Sequence, residues 1–344
     1  MVFARASRWL VVLSMSALAL GATATRAATP QPPAYQAMID ALTRANQAVV
    51  GVQVTAAEGA RSAESLGRQR SGSGVVIGAD GLILTIGYLM LEADAIQVTT
   101  HDNRTVPARA VAYDLATGFG LIRPLLPLRG VTPVTLGTAG QAQTGEALMA
   151  AVGGEDADVS MTQLVSRRPF SGYWEYHIDG ALFTSPPLRN HSGAPLFNNK
   201  GELLGIGSLF VGDAIGDNRR MPGNMFVPID LLKPILAEMQ QTGSTRSSRR
   251  PWLGLTSTEQ GGRVQIVRVN RDSPAQSAGL SPGDVVLAID GARVSTLEAF
   301  YKALWARANP EDEVTLTVLQ GSDIRQVVVK GVDRMSTMRR PAGI

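Results

Sequence analysis

The 344-residue chain reads as mainly β, with two antiparallel barrels or sandwiches followed by a smaller α+β module. Three observations carry that reading. Short runs of β-forming residues recur in two sets of about six, punctuated by Gly, Asp, Asn and Pro. A polar stretch at 242–250 (TGSTRSSRR) contains no large apolar residue and divides the chain. Beyond it, strand-type and helix-type periods mix within 94 residues.

The elements follow in order. Apolar residues at helical spacing predict one helix over 35–48. The first strand set comprises 49–55, 74–78, 82–86, 95–100, 106–113 and 119–123. The second comprises 146–152, 161–167, 172–178, 194–197, 203–210 and 224–228. Asp80-Gly81 and Asn199-Lys200-Gly201 are hairpin signals between runs. Residues 57–70 (AEGARSAESLGRQR) lack apolar periodicity and are expected as an exposed loop. Leu231, Leu232, Ile235, Leu236 and Met239 predict a closing helix over 229–241. The last module is expected to contain a helix over 296–307 and strands over 313–320 and 325–330.

Charge separates destination from ligand. The pI of about 9.4 invites a polyanion-binding reading. Residues 1–27 contain Arg5, Arg8, Arg26 and no acid, and the rest of the chain holds 29 basic and 29 acidic residues. No basic stripe interleaved with aromatics is present, so nucleic acid is not an expected partner. Residues 1–27 read as an export signal: a basic start, an apolar core at 9–20 too short for a stable span, then small residues permitting cleavage after Ala24 or Ala27. An uncleaved anchor is the alternative. No second long apolar run occurs, so no stable membrane span is expected after cleavage. Residues 28–242 carry 15 basic and 19 acidic side chains, 243–250 carry three Arg, and 251–344 carry 11 basic and 10 acidic. With no Cys and only His101, His177 and His191, neither disulfides nor a structural zinc is expected, and no cofactor is implied.

The chemistry-bearing segments lie in the larger block. Asn190-His191-Ser192-Gly193-Ala194-Pro195-Leu196 precedes a short strand. A serine between small residues suits a nucleophile on a tight turn that aims backbone N–H groups at a developing oxyanion. Taken alone, Ser-Gly-x-Pro is a weak signal, and an ordinary turn is the better explanation of it. Upstream lie Ser71-Gly72-Ser73-Gly74-Val75-Val76 with Gly81-Leu82-Ile83-Leu84-Thr85, then Asp114-Leu115-Ala116-Thr117-Gly118-Phe119. In this order the three segments resemble the HtrA/Deg family of trypsin-like serine proteases, over roughly residues 35–240. The resemblance implies a double six-stranded β-barrel and a Ser-His-Asp site.

Against that family the chain departs at the residues that do chemistry. The family's T-N-x-H-V becomes Thr85-Ile86-Gly87-Tyr88-Leu89, so Tyr88 stands at the position of the general base. The Asp that orients the base is replaced by Gly118, while the nucleophile is kept as Ser192. Asn190 replaces the glycine whose N–H joins that of Ser192 in the oxyanion hole, and Ala194 replaces a further glycine. A serine hydroxyl is a poor nucleophile without a positioned base, and a phenol of ordinary pKa near 10 is a donor at neutral pH. What survives loss of triad members is at most about 10³–10⁴ over water. His101 in a turn, His177 on an outer strand and His191 beside the serine are all expected to be surface histidines, not substitute bases.

Residues 251–335 are similar to a PDZ domain of the HtrA type. The resemblance rests on Ser273-Pro274-Ala275, Ala278-Gly279-Leu280 and Pro282-Gly283-Asp284-Val285-Val286-Leu287-Ala288-Ile289-Asp290-Gly291. It implies capture of a peptide C-terminus beside a sheet edge, with the carboxylate held by the loop Trp252-Leu253-Gly254-Leu255. Trp252 is alternatively a domain-edge anchor. Leu297, Phe300, Tyr301 and Leu304 share one helix face, mostly core, with one or two lining the groove.

The expected organisation is a signal peptide over 1–27, a degenerate protease domain over 28–242, a linker over 243–250, a PDZ domain over 251–335 and a tail over 336–344. The expected protein is exported, to the periplasm or its equivalent, and catalytically silent. It would bind unfolded or C-terminal peptide segments as scaffold, chaperone or regulator of an active HtrA relative. A homotrimer is implied by the resemblance alone. A residual serine hydrolase built on Ser192 is the alternative.

Overall fold

The structure is a computed structural model that describes residues 33–216 and 220–340; the expected export signal lies outside the described residues. Helix α1 (Pro33–Gln47) leads into the first barrel. That barrel contains β1 (Val49–Ala56), β2 (Gln69–Val76), β3 (Ile83–Ile86), β4 (Ala93–Thr99), β5 (Thr105–Tyr113) and β6 (Phe119–Pro124), with a short helix α2 (Ala63–Leu66) between β1 and β2. It closes in the order β1-β2-β3-β6-β5-β4. The second barrel contains β7 (Ala147–Val152), β8 (Asp158–Gly172), β9 (Tyr176–Ser185), β10 (Pro195–Phe197), β11 (Leu203–Val211) and β12 (Gly223–Pro228), closed as β10-β11-β12-β9-β8-β7. Closure removes the free sheet edges that a stack of short strands would otherwise expose. Val50, Ile83, Leu121, Phe183, Phe197 and Phe226 are among the buried side chains of one continuous core that spans both barrels. Among the described residues, no helix is long and apolar enough to cross a membrane.

Two sequence expectations are corrected here. The closing helix is interrupted. Ile229–Leu231 form a 3-10 turn, and α3 begins only at Leu236 (Leu236–Thr242). Pro234 lies between them; it lacks an N–H and disfavours helical backbone at Lys233. The strand expected over 172–178 is instead a hairpin tip: β8 ends at Gly172, residues 173–175 turn, and β9 begins at Tyr176. Tyr173, Trp174 and Tyr176 have strand propensity, which hides the turn in the sequence.

Residues 57–70 also depart from a simple exposed loop. Ser62 and Arg70 are buried beside Glu92. The Ser62 N–H and hydroxyl both donate to Glu92 Oε2 at 2.7 Å, and Arg70 Nη2 donates to Ser62 Oγ at 2.8 Å.

The second module contains β13 (Pro251–Trp252), β14 (Leu255–Gln260), β15 (Arg263–Val269), α4 (Pro274–Ser277), β16 (Val285–Ile289), β17 (Ala292–Arg293), α5 (Leu297–Trp305), β18 (Glu313–Gln320), β19 (Asp323–Lys330) and β20 (Val332–Asp333). Its main sheet runs β14-β15-β16-β18-β19. Thr296 caps α5, accepting from the Ala299 N–H. Leu297, Phe300, Tyr301 and Leu304 of α5 are buried in this module's own core.

The segment expected as a flexible linker is docked. Asp114, fully buried, accepts from the hydroxyls of Thr245 and Ser248. The Ser248 hydroxyl oxygen in turn accepts from the Leu115 N–H at 2.8 Å. Arg250, one of the linker's three arginines, lays its guanidinium 3.5 Å over the ring of Trp305. Past β20, Met335 and Met338 pack against Leu91, Tyr113 and Leu115 of the first barrel, and the Arg339 N–H donates to Glu92 Oε1 at 3.1 Å.

Candidate functional site

The turn carrying Ser192 is seated on β2, so the glycine-rich segment and the serine segment meet. The Ser73 N–H donates to the Ser192 carbonyl at 2.8 Å, and the Ser73 carbonyl accepts from Thr85 Oγ1 at 2.7 Å. Two glycines permit the approach. A Cβ on Gly72 would lie 2.5 Å from the Ser192 carbonyl oxygen, and one on Gly193 (φ +73°) 2.0 Å from the Ser73 carbonyl oxygen. Ser73 Oγ also accepts from the Gly153 N–H at 3.0 Å, which ties the second barrel to the first.

Tyr88 reaches Ser192 from the 3-10 turn Gly87–Met90 that follows β3. Arg70 holds this turn: Nη1 donates to the carbonyls of Tyr88 at 3.1 Å and Leu91 at 2.8 Å. Tyr88 Oη lies 2.7 Å from Ser192 Oγ and 2.9 Å from the Ser208 carbonyl oxygen. A phenol has one proton, and a carbonyl can only accept. All three groups are satisfied when Tyr88 donates to Ser208 and accepts from the Ser192 hydroxyl. Burial pushes the phenol's pKa up to about 12, against a smaller opposing effect of the Ser192 hydrogen bond. At neutral pH Tyr88 is therefore protonated, and it cannot take a proton from Ser192.

Gly118 sits in the turn between β5 and β6 at φ +84°, its N–H donating to the Asp114 carbonyl at 2.7 Å. A Cβ there would lie 3.1 Å from Tyr176 Oη. Tyr176 is buried, donates to the Thr117 carbonyl at 2.6 Å, and stacks on Trp174 at 5.5 Å between centroids. A side chain at 118 would begin against this phenol.

The other residues of the serine turn and the three histidines are placed as follows. Asn190 does not enter the left-handed region, and its Nδ2 donates to Asp156 Oδ2 at 3.2 Å. His191 is half-buried, its Nδ1 has no hydrogen-bond partner, and burial lowers its pKa. Among the described residues no hydrogen bond joins it to Ser192. His101 is exposed in a turn. His177 is not the surface residue expected: it is buried between Ser171 Oγ at 2.9 Å from Nδ1 and Asp179 Oδ1 at 3.1 Å from Nε2. His177, Asp179 and Glu298 bring three metal-type donors together. Lys302 Nζ donates to Asp179 at 3.3 Å and Glu298 at 2.6 Å, so an ammonium already occupies the cation's place.

The carboxylate-type loop of the second module is also engaged. The N–H groups of Leu253, Gly254 and Leu255 donate to the side chain of Glu175, at 3.1, 2.8 and 2.7 Å. Gly254 has φ +85°, and a Cβ on it would meet Ser273 at 2.3 Å. Glu175 comes from the β8–β9 hairpin tip, is 4% exposed and has φ +58°. Burial pushes its carboxyl pKa upward, with the three N–H donors opposing. Trp252, placed with this loop by the resemblance, does not join in: it pairs with Val332 of β20 at the domain edge. Tyr301 of α5 reaches the hairpin tip, donating to the Gly172 carbonyl at 2.7 Å. Sequence reasoning missed Glu175 and Tyr176. The available signal was three aromatics flanking an acid at 173–176, a dense apolar group for a turn.

Comparison with known proteins agrees with this architecture. A trypsin-like peptidase domain matches over residues 72–206 and a PDZ domain over 251–330. A probable periplasmic serine endoprotease, DegP-like, of Halomonas elongata is 28% identical over 279 residues, covering 76% of this chain and 56% of that protein. The serine endoprotease DegS of Haemophilus influenzae is 27% identical over 271 residues, covering 75% of this chain and 76% of its own length. This chain thus spans a little over half the length of the DegP-like relative. In fold, it is similar to the HtrA-type protease AlgW with tripeptide (TM-score 0.53, 22% identity, 86% of this chain and 96% of that one). A serine endoprotease from Yersinia pestis is similar to the same degree (TM-score 0.53, 20% identity, 88% and 99%). The chain thus contains a trypsin-like peptidase domain over residues 72–206 followed by one PDZ domain over 251–330, and along three quarters of its length it is similar to serine endoproteases named DegP-like and DegS.

Proposed function

We propose that this is an exported, periplasmic HtrA-type protein that no longer cleaves peptide bonds and acts by binding. The observation that carries the reading is the Tyr88–Ser192 pair: the group 2.7 Å from the serine oxygen is a phenol that burial keeps protonated. Tyr176 beside Gly118 supports it, because position 118 carries no side chain and the atom that would meet one there is a phenol oxygen. Binding falls to the PDZ domain, whose loop donors suit a carboxylate, and its ligands are unfolded or C-terminal peptide segments of other proteins. The barrels then serve as scaffold, chaperone surface or regulator of an active relative. A homotrimer rests on the resemblance alone.

A second reading, a residual serine hydrolase, is favoured by one feature: Ser192 is kept, on a turn that Gly72 and Gly193 allow to sit against β2. A fluorophosphonate probe separates the two. The binding reading expects no labelling of purified protein above a Ser192→Ala variant, and no cleavage of unfolded casein. Stoichiometric labelling of Ser192, with casein cleavage that Ser192→Ala abolishes, overturns it.

A further inference from the structure

The hairpin tip 172–176 lies in the second module as a bound peptide would. The Ser257 N–H of β14 donates to the Tyr173 carbonyl at 2.8 Å, and two residues later the Glu175 side chain reaches the loop that begins β14, an order that matches an antiparallel approach. The Glu175 carboxylate takes three backbone N–H donors, from Leu253, Gly254 and Leu255, with no side-chain cation within hydrogen-bond reach among the described residues. From the opposite wall, Tyr301 Oη donates to the Gly172 carbonyl at 2.7 Å and accepts from the Glu175 N–H at 3.3 Å. One strand-type contact, one carboxylate in a nest of N–H groups and one helix-side clamp are the parts of peptide capture at a sheet edge.

We infer that Glu175 is an internal stand-in for a peptide C-terminus, so that the PDZ groove is closed by the protein's own protease-like domain and opens only to a partner that displaces it. The inference rests on the reading that this groove binds peptide termini. The partner it fits is an extended chain with a free α-carboxylate, because the three N–H groups cannot serve two carboxylates at once. Binding of such a terminus is coupled to release of the hairpin and hence of the domain contact. An external ligand competes with a tethered one, so its apparent affinity is reduced by the fraction of molecules that are open. A groove open in one to ten per cent of molecules corresponds to a loss of about 10- to 100-fold.

The test compares the whole chain with its Glu175→Gly variant. Glycine suits the turn at φ +58° and removes the whole side chain, carboxylate included, while keeping the backbone N–H that Tyr301 accepts from, so the hairpin is expected to fold. The probe is a fluorescein-labelled peptide copying residues 166–174 and ending in a valine with a free carboxylate, with its C-terminal amide as control. Glu175→Gly is expected to bind the free acid about 10- to 100-fold more tightly than wild type, with the amide bound at least about tenfold more weakly than the acid. Equal affinity of wild type and variant for the acid overturns the inference. Hydrogen exchange reads occupancy without any peptide: the Leu253, Gly254 and Leu255 amides should exchange at least about tenfold faster in Glu175→Gly. Unchanged exchange overturns the inference as well. Faster exchange with no peptide bound by either protein leaves the internal stand-in supported and overturns the peptide-binding reading of the groove.

Discussion

Replacing Tyr88 by His and Gly118 by Asp would restore a protease-like triad on paper. The structure predicts that the double variant becomes less stable, and the binding reading predicts that it does not cleave peptide bonds. At Gly118 the backbone has φ +84°, where a side chain costs roughly 1–2 kcal/mol relative to glycine. The new Cβ would stand 3.1 Å from Tyr176 Oη, and the carboxylate beyond it must displace a ring that is stacked on Trp174. Forcing atoms into such a packed place costs typically about 1–3 kcal/mol. Loss of the glycine's freedom in the unfolded chain returns at most about 1 kcal/mol. Removing the Tyr88 hydroxyl leaves the Ser208 carbonyl without its donor, about another 1 kcal/mol or more. The net loss of about 2–5 kcal/mol corresponds to a fall of roughly 5–15 °C in Tm for a unit of this size. Scanning calorimetry reads the stability, and fluorophosphonate labelling with casein hydrolysis reads the activity. A double variant with the wild-type Tm and stoichiometric labelling at Ser192 would refute the argument that Tyr176 obstructs a side chain at 118.

Three further outcomes are expected. Burial raises the pKa values of Tyr88, Tyr113, Tyr176 and Tyr301 in the folded state, so the folded chain holds protons that the unfolded chain releases near pH 10. Stability should therefore fall as pH rises from about 10 to 12, by up to about 1.4 kcal/mol per pH unit for each tyrosine, and urea titrations that stay flat across this window would contradict it. Asp114→Ala strands the buried Thr245 and Ser248 hydroxyls and should cost roughly 3–5 kcal/mol in urea unfolding, with Asp114→Asn costing less. Gly193→Ala should cost about 3 kcal/mol or more because of the Ser73 carbonyl, whereas Gly130→Ala, at a similar φ but facing open space, should cost only about 1 kcal/mol; similar losses for both would show that close approach does not matter at Gly193.

The sequence carried the two six-strand sets because each strand announces itself within its own eight or ten residues. Asp80-Gly81 and Asn199-Lys200-Gly201 mark real turns, in one case held by the Gly81 N–H on the Gly78 carbonyl and in the other by the Gly201 N–H on the Asn198 carbonyl. Where two local signals competed, pattern reading failed: helical periodicity ran through Pro234, and aromatic strand propensity ran through the 173–175 turn. At the site, the meeting of Tyr88 and Ser192 depends on where two loops are hung by their barrels, and the order of the motifs carried that information. The roles of Glu175, Tyr176, Arg70 and Asp114 were not legible. Each acts on residues far away in the chain, as when Glu175 meets Gly254 or Asp114 meets Ser248. Glu175 also requires a positive φ that no residue type at that position signals. A lone acid or arginine in a polar stretch looks solvated until the fold places donors around it.

The contacts that cross from one domain to the other bear on how the molecule can be dissected. Cutting the chain after residue 244 would take the Thr245 and Ser248 hydroxyls from Asp114 and all three loop N–H donors from Glu175. It would also leave Tyr113 and Leu91 without Met335 and Met338 above them. The isolated barrels would then carry two carboxylates shaped for partners they no longer have, together with a bare apolar patch. A fragment made to study the serine turn alone is thus a different physical object from the same residues in the whole chain, and its solubility and melting behaviour would describe the cut as much as the barrels.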